Sequence, residues 1–323
     1  MRAPTRISGA PIDGHEMTRA RPRTVLTSVL AIFILALVLA GSSCGGHKAG
    51  LASQPRTGTA PSTTTQASSA PTSTTAPGGI PPHLNTTQLE KVDRSQSDFA
   101  FAVLGDNRGS TTVFNSLIGK VGSDSVLFAL DNGDLVDGGT VGNYRNFVGQ
   151  ISACTKPFLV AAGNHDDISN GIYAALFGDG YYDFTVGDSL FIVLDDSNER
   201  NIDSGQLEWL KSELSRGQAY KYRFVFTHVP LYDPRQSGES VGHSLQDLTF
   251  AKMLNRLFDQ NHVTLILASH IHGYYEGVWG STPYIISGGA GASLQGTDPE
   301  HFFYHYVRVH VSDQGIEHEV VRI

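Results

Sequence analysis

Cysteine is scarce in this chain. Only Cys44 and Cys154 occur among 323 residues. They lie in stretches of opposite character, which argues against an internal disulfide and against a disulfide-built scaffold. Cys154 reads as a plain buried thiol. Basic charge is short as well. The formal net charge is −8, and residues 1–80 hold seven Lys and Arg against two Asp and Glu, leaving residues 81–323 with 16 against 29. A domain this acidic has no broad basic face for long nucleic acid, although bound cations would make a local positive pocket for phosphate. A long apolar run occurs once, at Val25–Ala40, and no internal repeat is present. The 40% apolar content is enough for one large core without covalent staples.

The front of the chain is a targeting device. Arg19, Arg21 and Arg23 precede the apolar run, and Gly41-Ser42-Ser43-Cys44 follows it. Positive flank, apolar stretch and small residues make a secretory pattern. The run is at the short edge for a bilayer span. Cys44 after small residues resembles a bacterial lipoprotein cleavage site, with Gly41 where that pattern usually has Leu. Lipidation at Cys44, retention as an N-terminal membrane helix and full release remain open, and each places the rest of the chain outside the cytoplasm. Met17 is a candidate start, since residues 1–16 carry nothing this pattern needs. Downstream, Ser, Thr, Pro, Ala and Gly dominate to about Pro82 and cannot offset their ordering entropy by burial. The expected organisation is an anchor segment 1–44, a disordered Ser/Thr/Pro-rich linker 45–95 acting as a tether, and one domain 96–323.

Within the domain, strands are expected at Asp98–Leu104, Ser125–Leu130, Pro157–Ala161, Tyr222–Phe226 and Val263–Ala268. Helices are expected at Thr111–Val121, Tyr144–Ile151, Ser204–Leu214 (capped by Ser204) and about Leu245–Gln260. Tyr181–Val186 and Ser189–Leu194 read as a hairpin about Gly187-Asp188. Shorter strands fill the remainder. Alternation of strands and helices early, then consecutive strands late, suggests two packed sheets with helices outside.

Five polar clusters stand at the ends of these strands: Gly105-Asp106-Asn107-Arg108, Gly133-Asp134-Leu135-Val136-Asp137, Gly163-Asn164-His165-Asp166, Thr227-His228-Val229-Pro230 and Ser269-His270-Ile271-His272. Carboxylates, amides and imidazoles are ligand types that suit Zn, Fe, Mn and similar ions. In this order they resemble the calcineurin-like metallophosphoesterase superfamily, from about Phe99 to the C-terminus. The resemblance implies an α/β, four-layer sandwich of two mixed β-sheets flanked by helices. It also implies two divalent or trivalent ions (Fe, Mn, Zn or similar) that hold phosphate oxygens and turn a bridging water into hydroxide. By place in the motifs, Asp134 bridges the ions, Asp106 and His272 hold the first, and Asn164, His228 and His270 hold the second. His165 matches the catalytic histidine, placed either to donate a hydrogen bond to the developing charge or to protonate the leaving oxygen. Asp166 or Asp137 would orient ligand histidines. His270 and His272 are expected to point the same way on an extended segment.

One residue departs from the pattern. Arg108 stands where the family commonly has a second metal-binding His, and a guanidinium is no ordinary metal ligand. Three readings stay open: an open or water-filled position, another residue such as Asn107 reaching in, or a weak first metal. Arg108 itself either contacts a substrate phosphate bidentately or pairs with a carboxylate such as Asp137. Asp195 and Asp196 are assigned structural or rim roles, His243 to the surface of the Pro234–His243 loop, for which covering the pocket is the alternative, and Gly288–Gly291 to a tight bend. The expected function is a metal-dependent phosphomonoesterase or phosphodiesterase displayed outside the cytoplasmic membrane. Its substrates would be nucleotides, lipid head groups or phosphoproteins. The alternatives are a degenerate phosphate-binding envelope protein and a docking scaffold. No oligomeric state is assigned.

Overall fold

The apolar runs that precede the polar clusters become the inner strands of two sheets. The computed structural model describes residues 5–7, 77–236 and 240–323; the targeting run and Cys44 lie outside the described residues. A short strand Thr5–Ile7 (β1) and a helix Leu84–Leu89 (α1) come first. Phe99–Leu104 (β2), Phe128–Asp131 (β3) and Phe158–Val160 (β4) are buried at every position, as strands covered on both faces must be. Thr112–Ser123 (α2) and Val141–Ile151 (α3) connect them, so the three strands run parallel. Ile172–Phe177 (α4), absent from the sequence reading, leads into a hairpin of Tyr182–Val186 (β5) and Ser189–Val193 (β6). Ser204–Arg216 (α5), Tyr222–Phe226 (β7), Leu248–Gln260 (α6) and Leu265–Ala268 (β8) follow. Tyr274–Trp279 (β9), Thr282–Ser287 (β10), His305–Ser312 (β11) and Gly315–Arg322 (β12) end the chain's regular structure.

The sheets are mixed and six-stranded, ordered β1-β12-β11-β2-β3-β4 and β5-β6-β7-β8-β10-β9. Strand alternation sets the layers. Phe99, Phe101 and Val103 of β2 join the core between the sheets, while Ala100, Ala102 and Leu104 join the core under α2 and α3. A third core lies between the second sheet and α5 and α6. The middle core is aromatic. Phe101 stacks on Phe128 at 5.3 Å, Phe191 stacks on Phe224 at 4.9 Å, and Phe101 meets Phe191 edge-on at 5.3 Å. Such pairs contribute about 0.5–1.5 kcal/mol each beyond area burial. The chain thus adopts the expected α/β fold of two mixed sheets between helical layers.

Boundaries shift where capping decides them. Asp203, not Ser204, caps α5, because its carboxylate accepts the Gln206 amide at 2.9 Å and a charged acceptor suits a helix N-terminus. α6 starts at Leu248 because Asp247 accepts from the Thr249 and Phe250 amides. The packed domain also begins before residue 96. α1 falls within the span given to the linker, yet Asn85 is buried and bonds both the amide and the carbonyl of Val160, at 2.9 and 3.0 Å. The signal was thin: Ile80 and Leu84 are lone apolar residues in a polar stretch, and both pack on the first core.

Candidate metal centre

All five polar clusters follow the carboxyl ends of parallel strands, which is where an open α/β sheet presents a crevice. β2, β3 and β4 supply three from one sheet, and β7 and β8 supply two from the other. The edges of the two sheets are tied together there. Asn132 Nδ2 donates to the Thr227 and Leu267 carbonyls at 2.6 and 3.1 Å, and the His270 amide donates to Asp106 Oδ2 at 2.8 Å. The backbone is strained at the same residues: φ is +63° at Asp106, +59° at Asp134 and +65° at His270. Left-handed non-glycine residues cost about 1–3 kcal/mol each and persist where the surroundings over-determine them. Glycine is obligatory at Gly163, where a β-carbon would overlap the amide and carboxylate of Asp134.

Asp106, Asp134 and His272 are buried and offer ligand atoms within 4.8 Å of one another. His272 Nε2 lies 3.7 Å from Asp106 Oδ1. Beside this group, Asn164 Oδ1 lies 3.0 Å from both His228 Nε2 and His270 Nδ1. Asp134 Oδ1 stands 3.4 Å from His228 Nε2, so its carboxylate touches both groups. The six side chains named from the sequence therefore meet.

The tautomers are set by backbone carbonyls. His228 Nδ1 bonds the Asn132 carbonyl at 2.9 Å, and His272 Nδ1 bonds the Ser293 carbonyl at 2.7 Å. A carbonyl only accepts, so both Nδ1 atoms carry a proton and both Nε2 atoms are turned inward. These two nitrogens face acceptors: Asn164 Oδ1 and Asp134 Oδ1 for His228, and Asp106 Oδ1 for His272. Asp106 Oδ1 is buried with no hydrogen-bond partner. Burial, then the neighbouring Asp134 charge, raises the Asp106 carboxyl well above its ordinary range. Burial and the His228, His243 and His272 rings push His270 down to about 2, so it is a neutral imidazole. Ring nitrogens turned inward onto acceptors, an orphaned carboxylate oxygen and a neutral His270 are a donor set that fits divalent cations.

Other expectations change. Asp166 does not orient a ligand histidine; it accepts the Asp134, Val136 and Gly163 amides at 3.1, 3.2 and 2.8 Å and so clasps two of the loops together. Asn107 does not reach in, since its side chain is spent on Asp131 and the Gly109 amide. His270 and His272 sit on consecutive tight turns rather than an extended segment, with Ile271 N bonded to Ser269 O and Gly273 N to Ile271 O. Asp196 is structural, accepting the His228 and Val229 amides. Gly288 belongs to a tight bend against Asp106, as Ala290 and Ala292 amides bond the Gly105 and Asp106 carbonyls.

His165 and Arg108 stand outside the donor set. The His165 amide bonds Asp134 Oδ1 at 2.9 Å, and its ring Nδ1 lies 3.2 Å from Asp137 Oδ1. Arg108 pairs with that same oxygen at 2.5 Å. Both line an open cleft of about 290 Å³ over the donor set. A groove of about 970 Å³ between α2 and α3 meets this cleft at Arg108. Sequence reasoning missed part of the cleft wall: His243, taken as a surface residue, lies 5.6 Å from the His270 ring, and Gln295 bonds the His270 carbonyl. His243 follows a ligand cluster at a distance no motif marks, and Gln295 had no signal.

Known proteins agree with this geometry. The family model for calcineurin-like phosphoesterases matches residues 99–274, more than half of the chain. Human serine/threonine-protein phosphatase CPPED1 is 27% identical over 159 residues, covering 44% of this chain and 50% of that protein. The chain thus spans about half the length of the curated relatives it matches. Among solved structures, purple acid phosphatase PPD1 of yellow lupin (Lupinus luteus) superposes with a TM-score of 0.56 at 16% identity, covering 71% of this chain and 52% of that one. GAP50, the anchor in the inner membrane complex of Plasmodium, gives 0.55 at 18% identity, with coverage of 70% and 85%. At such identities the likeness is one of fold alone. The family match spans β2 to β8 and all five clusters, and on it the chain belongs to the calcineurin-like phosphoesterase family.

Proposed function

We propose that this protein is a metal-dependent hydrolase of phosphomonoesters or phosphodiesters that works outside the cytoplasmic membrane. The observation that carries the reading is the meeting of six side chains from separate strand ends, with Asp134 beside both halves of the set. Asp106, Asp134 and His272 would hold one cation, and Asp134, Asn164, His228 and His270 the other. When bound, a pair of ions (Fe, Mn, Zn or similar) neutralises phosphoryl charge and lowers the pKa of a water that serves as nucleophile.

The chain's own groups do the remaining work. Asn164 offers a neutral oxygen, which adds no charge to repel the substrate. Asp137 faces His165 Nδ1, which leaves Nε2 to give its proton to the departing oxygen. Arg108 forks onto a phosphoryl oxygen. The phosphatase names of the curated relatives support phosphoester chemistry. Display outside the membrane is supported by the targeting pattern, with attachment through lipidated Cys44 or a retained N-terminal helix. Among the described residues no helix is long and apolar enough to cross a membrane.

The test is turnover of a phosphoester panel by the full-length protein with added Mn, Fe, Zn or Co. Loss of turnover in Asp134→Asn and on chelation, with two metals per chain by elemental analysis, is the expected outcome. Tight phosphate binding without turnover would instead indicate a degenerate binding protein, the reading that Arg108 in a ligand position favours.

A further inference from the structure

We infer that Gln295 is a positioning residue for the ligand His270, and that Arg235 sets it by dictating which end of its amide faces the metal centre. The inference rests on the metal-dependent reading. It adds to that reading a residue that lies beyond the five clusters and beyond the family match, which ends at residue 274.

His270 is held on both sides of its left-handed turn. Its amide donates to Asp106 Oδ2 at 2.8 Å, and its carbonyl accepts from Gln295 Nε2 at 3.3 Å. At φ +65° a non-glycine residue is strained and persists only where its surroundings over-determine it. Turning either peptide plane would swing His270 Nδ1 away from Asn164 Oδ1, 3.0 Å off. The main chain of Gln295 makes a second contact, its amide donating to the His272 carbonyl at 3.3 Å. One residue thus grips both histidines of the last cluster, His270 through its side chain and His272 through its backbone.

An amide has two ends of one shape and opposite chemistry. The His270 carbonyl only accepts, so Nε2 must face it. Arg235 enforces that choice from the other end. A guanidinium only donates, and its Nη1 lies 3.0 Å from Gln295 Oε1. Arg235 is itself fixed. Its Nε and Nη2 donate to the two oxygens of Asp233 at 2.9 and 2.8 Å, and the Asp233 side chain is fully buried. Asp233 Oδ2 also accepts the His243 amide at 2.9 Å. A line of hydrogen bonds therefore runs from the main chain of His243, in the cleft wall, to the main chain of His270, in the donor set.

Gln295→Met keeps the length of the side chain and removes both polar ends, while the backbone bond to His272 is retained. Arg235→Lys keeps a cation on Asp233 but lacks the fork that spans Asp233 and Gln295 at once. The full-length protein, both variants and the double variant would be stripped by chelation and titrated with Mn, with metals per chain read by elemental analysis. His270→Ala and His272→Ala assign the two binding steps. Gln295→Met is expected to weaken the His270 step by about tenfold or more and to leave the His272 step within about twofold. Arg235→Lys should weaken the same step by less, and the double variant should lose no more than Gln295→Met, because Arg235 acts through Gln295. Unchanged Mn uptake in Gln295→Met, or additive losses in the double variant, would overturn the inference. So would equal losses in both steps with a lowered melting temperature of the metal-free protein, which is what a merely structural role gives. Should Gln295→Met fail to fold, Arg235→Lys decides alone: a weakened His270 step sustains the inference, and an unchanged one overturns it. A wild type that takes up Mn but hydrolyses no phosphoester would overturn the proposed activity and leave the inference to be judged by metal uptake; a wild type that takes up no metal overturns both.

Discussion

Arg108 reaches from the loop after β2 to the loop after β3 and pairs with Asp137 at 2.5 Å. The ion-pair reading of Arg108 is therefore the one adopted in the free protein, and the contact with a phosphoryl group would be made by exchanging one anion for another. The Arg108 hydrogen bond, with a lesser contribution from His165, holds the Asp137 carboxyl below its usual range.

Removing Arg108 should separate function from stability. The pair is partly exposed, at 27% and 64%, and surface pairs contribute about 0–1 kcal/mol. Arg108→Ala is expected to leave the melting temperature nearly unchanged. It should raise KM for phosphoesters and lower kcat/KM by about tenfold or more. Arg108→Lys should recover only part, because an ammonium lacks the planar fork. Steady-state kinetics and thermal denaturation on the same preparations check both halves.

His165→Ala should cut kcat by about 10²–10⁴, the range for loss of a positioned acid. Metal content should stay at the wild-type level, because the backbone amide that bonds Asp134 is retained and the ring lies outside the donor set. Elemental analysis that showed metal lost along with activity would reassign His165 to the ligands.

Asn132→Ala should weaken the join between the sheets. It strips the Thr227 and Leu267 carbonyls of a shared donor in a fully buried place. An unsatisfied buried group costs about 1–3 kcal/mol, so a denaturation midpoint lowered by that order is expected. Metal affinity should change little, since the main-chain carbonyl of residue 132 that positions His228 Nδ1 survives the substitution. Denaturant titration and metal titration read the two effects separately.

Asp233 sets an acid limit on the cleft wall. Burial alone would raise its carboxyl, but bonds from Arg235 and from the Arg235 and His243 amides outweigh it and hold the pKa below the ordinary value. A depressed carboxyl stabilises the fold fully above its unfolded pKa of about 4, and the contribution is lost as pH falls through the lower folded pKa. Asp233→Asn should therefore be less stable than wild type at neutral pH, with the difference shrinking in acid below about pH 4. Its KM should rise, because His243 loses its tether. Stability curves at several pH values check the sign.

Much of the centre was legible because metal ligands are side chains with few chemical types and fixed places after buried strands. Asp106, Asp134, Asn164, His228, His270 and His272 needed only their letters and the apolar runs before them. What escaped was carried by the backbone. The carbonyls of Asn132 and Ser293 fix the histidine tautomers, and a carbonyl leaves no trace in residue identity. Asp166 looked like an orienting acid, yet its partners are three main-chain amides. The His270 turn was read as extended because alternation of His with Ile271 imitates a strand, and only the +65° torsion shows otherwise. Capping followed the same rule: Asp203 outcompetes Ser204 one residue away.

β4 is the last strand of its sheet, and its free edge is not left bare. Asn85 bonds both main-chain groups of Val160, and Gln88 accepts the Phe158 amide at 3.4 Å, so two side chains of a short helix stand in for a neighbouring strand. One effect is that no second chain can dock there by strand addition. The other is mechanical. Val160 lies four residues before Asn164, so the same two side chains also steady the entry to the loop of Asn164 and His165.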